Sequence, residues 1–83
     1  MGKATTKQMM TFDVKTDTDQ ETIAVQWSGP DAPQVIVTDT GNDDVSVRVV
    51  GGKELFVAGK LQHVTVKLLP PSSAAQGWRV IDA

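Results

Sequence analysis

The chain contains no cysteine and no tyrosine, one histidine, and only two Phe and two Trp among 83 residues. Each absence removes a class of chemistry. Without cysteine there is no disulfide, no thiolate zinc site and no thiol redox centre. A lone histidine rules out paired-imidazole ligation, and His63 has no carboxylate and nucleophile near it in sequence to complete a catalytic arrangement. No apolar run approaches the roughly 18 residues that a membrane-spanning helix needs. The opening MGKATTKQMM has no apolar segment of the secretory type. Gly2 and Thr6 match the myristoylation pattern only loosely, and an ordinary start is the better reading. The net charge of −2 argues against phosphate-backbone binding as the main role, so no nucleic-acid partner is expected.

Charge is unevenly spread. Residues 13–44 hold eight acids against the single base Lys15, and residues 45–81 hold five bases against Glu54. The simplest reading is pairing within one fold, although the same split also suits two copies meeting head to side. Eighty-three residues make one domain. A chain of this size buries only about 60% of its unfolded surface. Oligomerisation or docking on a larger assembly is the remaining supplement once disulfides are gone.

What is present is a β-strand rhythm. Apolar and polar residues alternate over 9–16, with Met10, Phe12 and Val14 in phase, and over 21–28, with Ile23, Val25 and Trp27 in phase. A third strand covers 34–38, a fourth 45–50 with Val45, Val47 and Val49 inward, and a short fifth 55–58. The clearest strand is 61–69, where Gln62, Val64, Val66 and Leu68 share one face and His63, Thr65 and Lys67 the other. Val47 and Val66 both read as core positions on central strands. A last strand, 78–82, puts Trp78 and Val80 opposite Arg79 and Ile81. Asp-Thr, Gly-Pro, Gly-Asn and Gly-Gly clusters separate these runs, with Gly41 and Asn42 suited to the positive φ of a hairpin turn. Pro70 and Pro71 stop the sixth strand because proline cannot donate to a ladder. No stretch has sustained helical spacing. The pattern predicts an all-β fold, a small antiparallel β-sandwich or barrel of six to seven strands. Residues 1–8, polar and aperiodic, form an N-terminal arm before a single β domain over 9–83.

The candidate chemical sites reduce to structural explanations. Asp17, Asp19 and Glu21 sit at the first three spacings of a calcium loop, but Thr22 stands where glycine is needed and Ser28 where the closing Glu is needed. Asp39, Asn42, Asp43 and Asp44 are turn formers. Gly51-Gly52-Lys53 lacks the spacing and the following helix of a phosphate loop. Trp27 is in phase with core residues, whereas Trp78, after an open loop, divides evenly between core and surface. No catalytic residue, metal site or cofactor is expected, and the protein reads as a non-enzyme.

In its short polar arm (residues 1–8), its cysteine-free Val- and Thr-rich strand run (11–69) and its lack of an active-site constellation, the chain resembles the small decoration, or cement, proteins of tailed-bacteriophage capsids. The resemblance covers the whole chain and is one of character, with no motif behind it. It implies a trimer or other homo-oligomer on a capsid lattice at the virion surface, gripping the shell subunits by the arm or the lower loops. The residues expected to meet such a partner are Lys3, Thr5, Thr6, Lys7 and Met9 in and beside the arm, and Pro70, Pro71, Trp78 and Arg79. The alternative is a small carbohydrate-binding or adhesion domain using Trp78 and the acidic loops.

Overall fold

Runs of β-branched residues at alternate positions favour extended backbone, and the alternation lets one face of each strand bury while the other stays wet. A computed structural model of the chain describes residues 7–70 and 73–83. Seven strands result: β1 (Lys7–Thr16), β2 (Gln20–Ser28), β3 (Val35–Asp39), β4 (Asp44–Val49), β5 (Glu54–Ala58), β6 (Leu61–Leu69) and β7 (Arg79–Asp82). No helix occurs among the described residues. The strands form a four-stranded sheet in the order β6-β1-β2-β7 and a three-stranded sheet in the order β3-β4-β5. Neither sheet closes on itself, which removes the barrel from the alternatives.

One buried apolar cluster joins the two sheets. Met10, Phe12 and Val14 of β1, Ile23, Val25 and Trp27 of β2, and Ile81 of β7 meet Val45, Val47, Val49 and Val57 of β4 and β5. The register makes this possible. Phe12 stands opposite Ile23 on one side and Val66 on the other, and Val47 stands between Val37 and Leu55. Directly opposed residues share a face, so the period-2 pattern of each strand adds to that of its neighbours. Each fully buried aliphatic contributes about 1.5–3 kcal/mol, as an upper figure.

Three features differ from the expected plan. The strands are not all antiparallel: β7 runs parallel to β2, with Ile23 beside Arg79 and Val25 beside Ile81. It starts at Arg79, and Ile81 is the residue it gives to the core. Next, Lys7 and Gln8, expected in the arm, belong to β1, with Lys7 opposite Ser28 and Gln8 opposite Trp27; residues 1–6 of the expected arm lie outside the described residues. Last, the β3–β4 turn places Gly41 (φ 85°) and Asp43 (φ 61°), rather than Asn42, in the left-handed region. The turn is held by Thr40 N–H donating to Asp44 O (3.1 Å), and Asp tolerates that backbone region better than most residues.

The parallel β7 has a topological consequence. β6 and β7 lie on opposite edges of one sheet and run the same way. Their link must therefore cross three strand spacings, about 14 Å. The smaller sheet packs on the face that carries Met10, Phe12 and Val14, and the opposite face carries Met9, Thr11 and Ala24. These last three are buried at the centre of the sheet.

Candidate interaction surface

The residues expected to meet a partner fall in separate places. Lys3, Thr5, Thr6 and Pro71 lie outside the described residues. Lys7 is exposed, and its Nζ donates to Asp82 Oδ1 at 2.9 Å across the sheet. That hydrogen bond, followed by the Lys7 charge, holds the Asp82 carboxyl below the ordinary carboxylate range. Met9 is 1% exposed, and its Sδ accepts from Gln26 Nε2 at 3.8 Å, so its side chain belongs to the interior of its own chain. Pro70 is exposed directly after β6, close to Met9 through the Met9–Leu69 pair. Trp78 is half-buried, and its N–H donates to Ala75 O at 3.2 Å.

Arg79 ties the two sheets together. Its Nη1 donates to Phe56 O of β5 at 2.7 Å and to Glu21 Oε1 of β2 at 3.2 Å. It is paired beside Ile23, whereas Lys7 is opposite Ser28, roughly 17 Å further along β2. The structure thus groups Lys7 with Pro70 at one end of the four-stranded sheet and sets Arg79 toward the other.

The largest exposed apolar side chains are elsewhere. Leu68 is 76% exposed and Val66 55%. This overturns the reading of Val66 as a core residue on a central strand. β6 is an edge strand, and it overhangs a sheet that has one strand fewer. Twist rotates successive strands, so toward Leu69 the strand leaves the cover of its partner sheet. Val64 still packs on the cluster; Val66 and Leu68 do not. A second apolar group lies on the outer face of the three-stranded sheet, where Phe56 (46% exposed) shares a cross-strand row with Ser46 and Thr38, and Ile36 shares one with Arg48 and Glu54. Sequence reasoning placed these residues on strands and could not show which faces remain uncovered. The available signal was the absence of any charge on the Gln62, Val64, Val66, Leu68 face.

The acidic loops form a hydrogen-bonded end to the molecule. Asp39 Oδ1 accepts from Gly41 N–H (2.9 Å) and Oδ2 from Leu61 N–H (3.0 Å). The Gly41 bond, then the Leu61 bond, lower its pKa below the ordinary 3.8, with Lys60 adding a smaller effect. Asp17 Oδ1 accepts from Lys60 N–H at 2.8 Å, and Gly59 N–H donates to Asp43 O at 2.6 Å. The carboxylates of Asp17 and Asp39 and the backbone carbonyl of Asp43 thus satisfy the N–H donors of Lys60, Leu61 and Gly59. Among the described residues no group of three His, Asp or Glu side chains has metal-holding geometry. His63 is exposed on the polar face of β6, with Nε2 3.0 Å from Thr65 Oγ1. No helix of the described residues is long and apolar enough to cross a membrane.

Comparison with known protein families, with curated proteins and with solved structures returns no match.

Proposed function

We propose that the chain is a non-enzymatic structural protein that binds and stabilises a protein lattice, a decoration or cement protein of a phage capsid, acting at the virion surface as a homo-oligomer. In this reading the fold is a β-sandwich with an N-terminal arm. The observation that carries it is the distribution of exposed apolar side chains. Val66 and Leu68 lie along an unpaired strand edge, and Ile36 and Phe56 on the outer face of the three-stranded sheet. An apolar group left in water on a small protein is recovered when a partner covers it, at about 25 cal/mol per Å². A ligand that binds only the assembled shell stabilises that shell by mass action. Lys3, Thr5, Thr6 and Lys7 would grip a neighbouring subunit by main-chain and charged contacts together with Pro70, and Trp78 and Arg79 would make a separate contact further along the sheet. The carbohydrate-binding alternative needs Trp78 as an open ring platform, and Trp78 is half-buried.

The test is co-sedimentation of the purified chain with capsid shells of its source virus. Saturable binding that weakens on deletion of residues 1–6 is the expected result. Failure to pellet with shells at about 100 µM protein rejects the reading.

A further inference from the structure

We infer that two copies of this chain join through β6, antiparallel and across a two-fold axis at Val66, to form one eight-stranded sheet. This deepens the self-association part of the function proposed above.

Four strand edges are unpaired among the described residues: β6, β7, β3 and β5. Three of them are short, at four residues for β7 and five each for β3 and β5. β6 has nine, from Leu61 to Leu69, with no proline and no glycine inside it. The only register shift along it falls at its far end, beside Lys15 and Thr16. Natural edges are blunted by shortness, bulges, proline, edge lysines or inward-pointing charge. Over residues 62–69, β6 has only Lys67 of these, on its polar face. Its unpaired backbone groups call for another extended chain, and the apolar side chains beside them call for an apolar one.

The strand is complementary to itself. Centred on Val66, the antiparallel register sets Val66 against its own copy and Val64 against Leu68 of the other copy, all on the face that overhangs the smaller sheet. On the polar face, Lys67 falls against Thr65 and His63 against Leu69. No two bases are opposed, and β6 carries no acid. Shifting the centre to Thr65 sets His63 against Lys67 and Leu68 against Gln62, which keeps Val64 against Val66 but takes Leu68 out of the apolar pairing and brings the two basic side chains together. Charge and apolar matching therefore choose the same register. The contact is isologous, so it closes at two copies and does not propagate into a filament. Opposite residues of an antiparallel pair have Cα atoms about 4.5–5.5 Å apart, within reach of a disulfide.

The absence of cysteine makes the test clean. Sedimentation equilibrium of the full chain from about 1 µM to about 1 mM should show a doubled mass at the upper end. Leu68→Lys should raise the dimer dissociation constant at least about tenfold with unchanged circular dichroism, since Leu68 is already in water. Phe56→Lys, on the other sheet, should leave the dimer unaffected. Val66→Cys should cross-link to a dimer under mild oxidation, and Gln62→Cys should not. A chain that stays monomeric at about 1 mM overturns the inference. So does a dimer that survives Leu68→Lys, or cross-linking through Cys at 62 in preference to 66. A monomer that still pellets with shells would sink this inference and spare the lattice reading. A β6-linked dimer that ignores shells would do the reverse.

Discussion

Thr16 occupies the space that a side chain at residue 59 would need. A Cβ built on Gly59 falls on Thr16 Oγ1 and Thr18 Oγ1, and the backbone there has φ +105°. The closeness is functional for the fold, because Thr16 Oγ1 donates to Ala58 O at 2.6 Å and accepts from Asp19 N–H at 2.9 Å. One hydroxyl thereby fastens the β1–β2 turn to the end of β5.

Gly59→Ala should therefore cost about 2–4 kcal/mol, the sum of an unfavourable φ and displaced threonine side chains. Gly41→Ala is the control: its φ is also positive, at +85°, but nothing lies within 4 Å of an added Cβ. It should cost about 1–2 kcal/mol. Urea denaturation of both variants gives the comparison, and equal losses would contradict the steric argument.

Val47 and Val66 test where the core stops. Val47 is fully buried on the central strand of its sheet, whereas Val66 is more than half exposed on an edge. Val47→Asp should cost about 4 kcal/mol or more, enough to prevent folding of a small domain. Val66→Asp should change stability by only about 1 kcal/mol. Thermal melts followed by far-UV circular dichroism separate the two, and loss of the folded signal in Val66→Asp would place β6 inside the core after all.

Trp27 is buried with its indole Nε1 lacking a hydrogen-bond partner among the described residues. A buried donor without an acceptor carries its full desolvation penalty. Trp27→Phe removes that penalty along with some packing, and the two effects offset, so a net cost of about 1 kcal/mol is expected. Trp27→Ala should cost about 3–5 kcal/mol. If Phe is as damaging as Ala in chemical denaturation, the indole N–H has an acceptor that matters.

Asp39 gives the fold an acid-sensitive joint. Its folded pKa is lowered, so the carboxylate favours the native state above the ordinary value of 3.8. That contribution is lost as pH falls from there through the lower folded value. Asp39→Ala should melt a few degrees below the parent near pH 7, and the gap should close near pH 2. A gap that stays constant with pH would mean that shape, and not ionisation, sets the role of the residue.

The alternation over 10–14, 23–27 and 45–49 was legible because those strands are each flanked within their sheets, so pattern and burial coincide. At Val66 the pattern shows which way the side chain points, but cover depends on how many strands the opposing sheet contributes. Met9 escaped for the converse reason. It points away from the core cluster and is nonetheless buried, and strand periodicity carries no signal for burial on the second face. The parallel pairing of β7 was not legible, since a four-residue strand does not encode a direction. The bond from Asp39 to Leu61 N–H joins residues 22 positions apart and becomes visible only when two turns meet. Lys7 and Arg79 each form an ion pair within the chain, to partners 75 and 58 positions away, which the sequence does not display.

The two sheets also differ in when they can form. β3, β4 and β5 are consecutive, and each pairs with its neighbour in sequence. The four-stranded sheet instead joins the chain's extremes: Lys7 meets Asp82 across 75 positions, and Ala83 N–H donates to Gln26 O at 2.8 Å. During synthesis the three-stranded meander is complete while the β1–β2 hairpin still lacks both of its flanking strands. Distant pairings pay a larger loop-closure entropy and are made late. Docking of β6 and β7 onto the waiting hairpin should thus limit the folding rate, and a ribosome-bound chain stalled before residue 79 would hold a finished small sheet beside an unfinished large one.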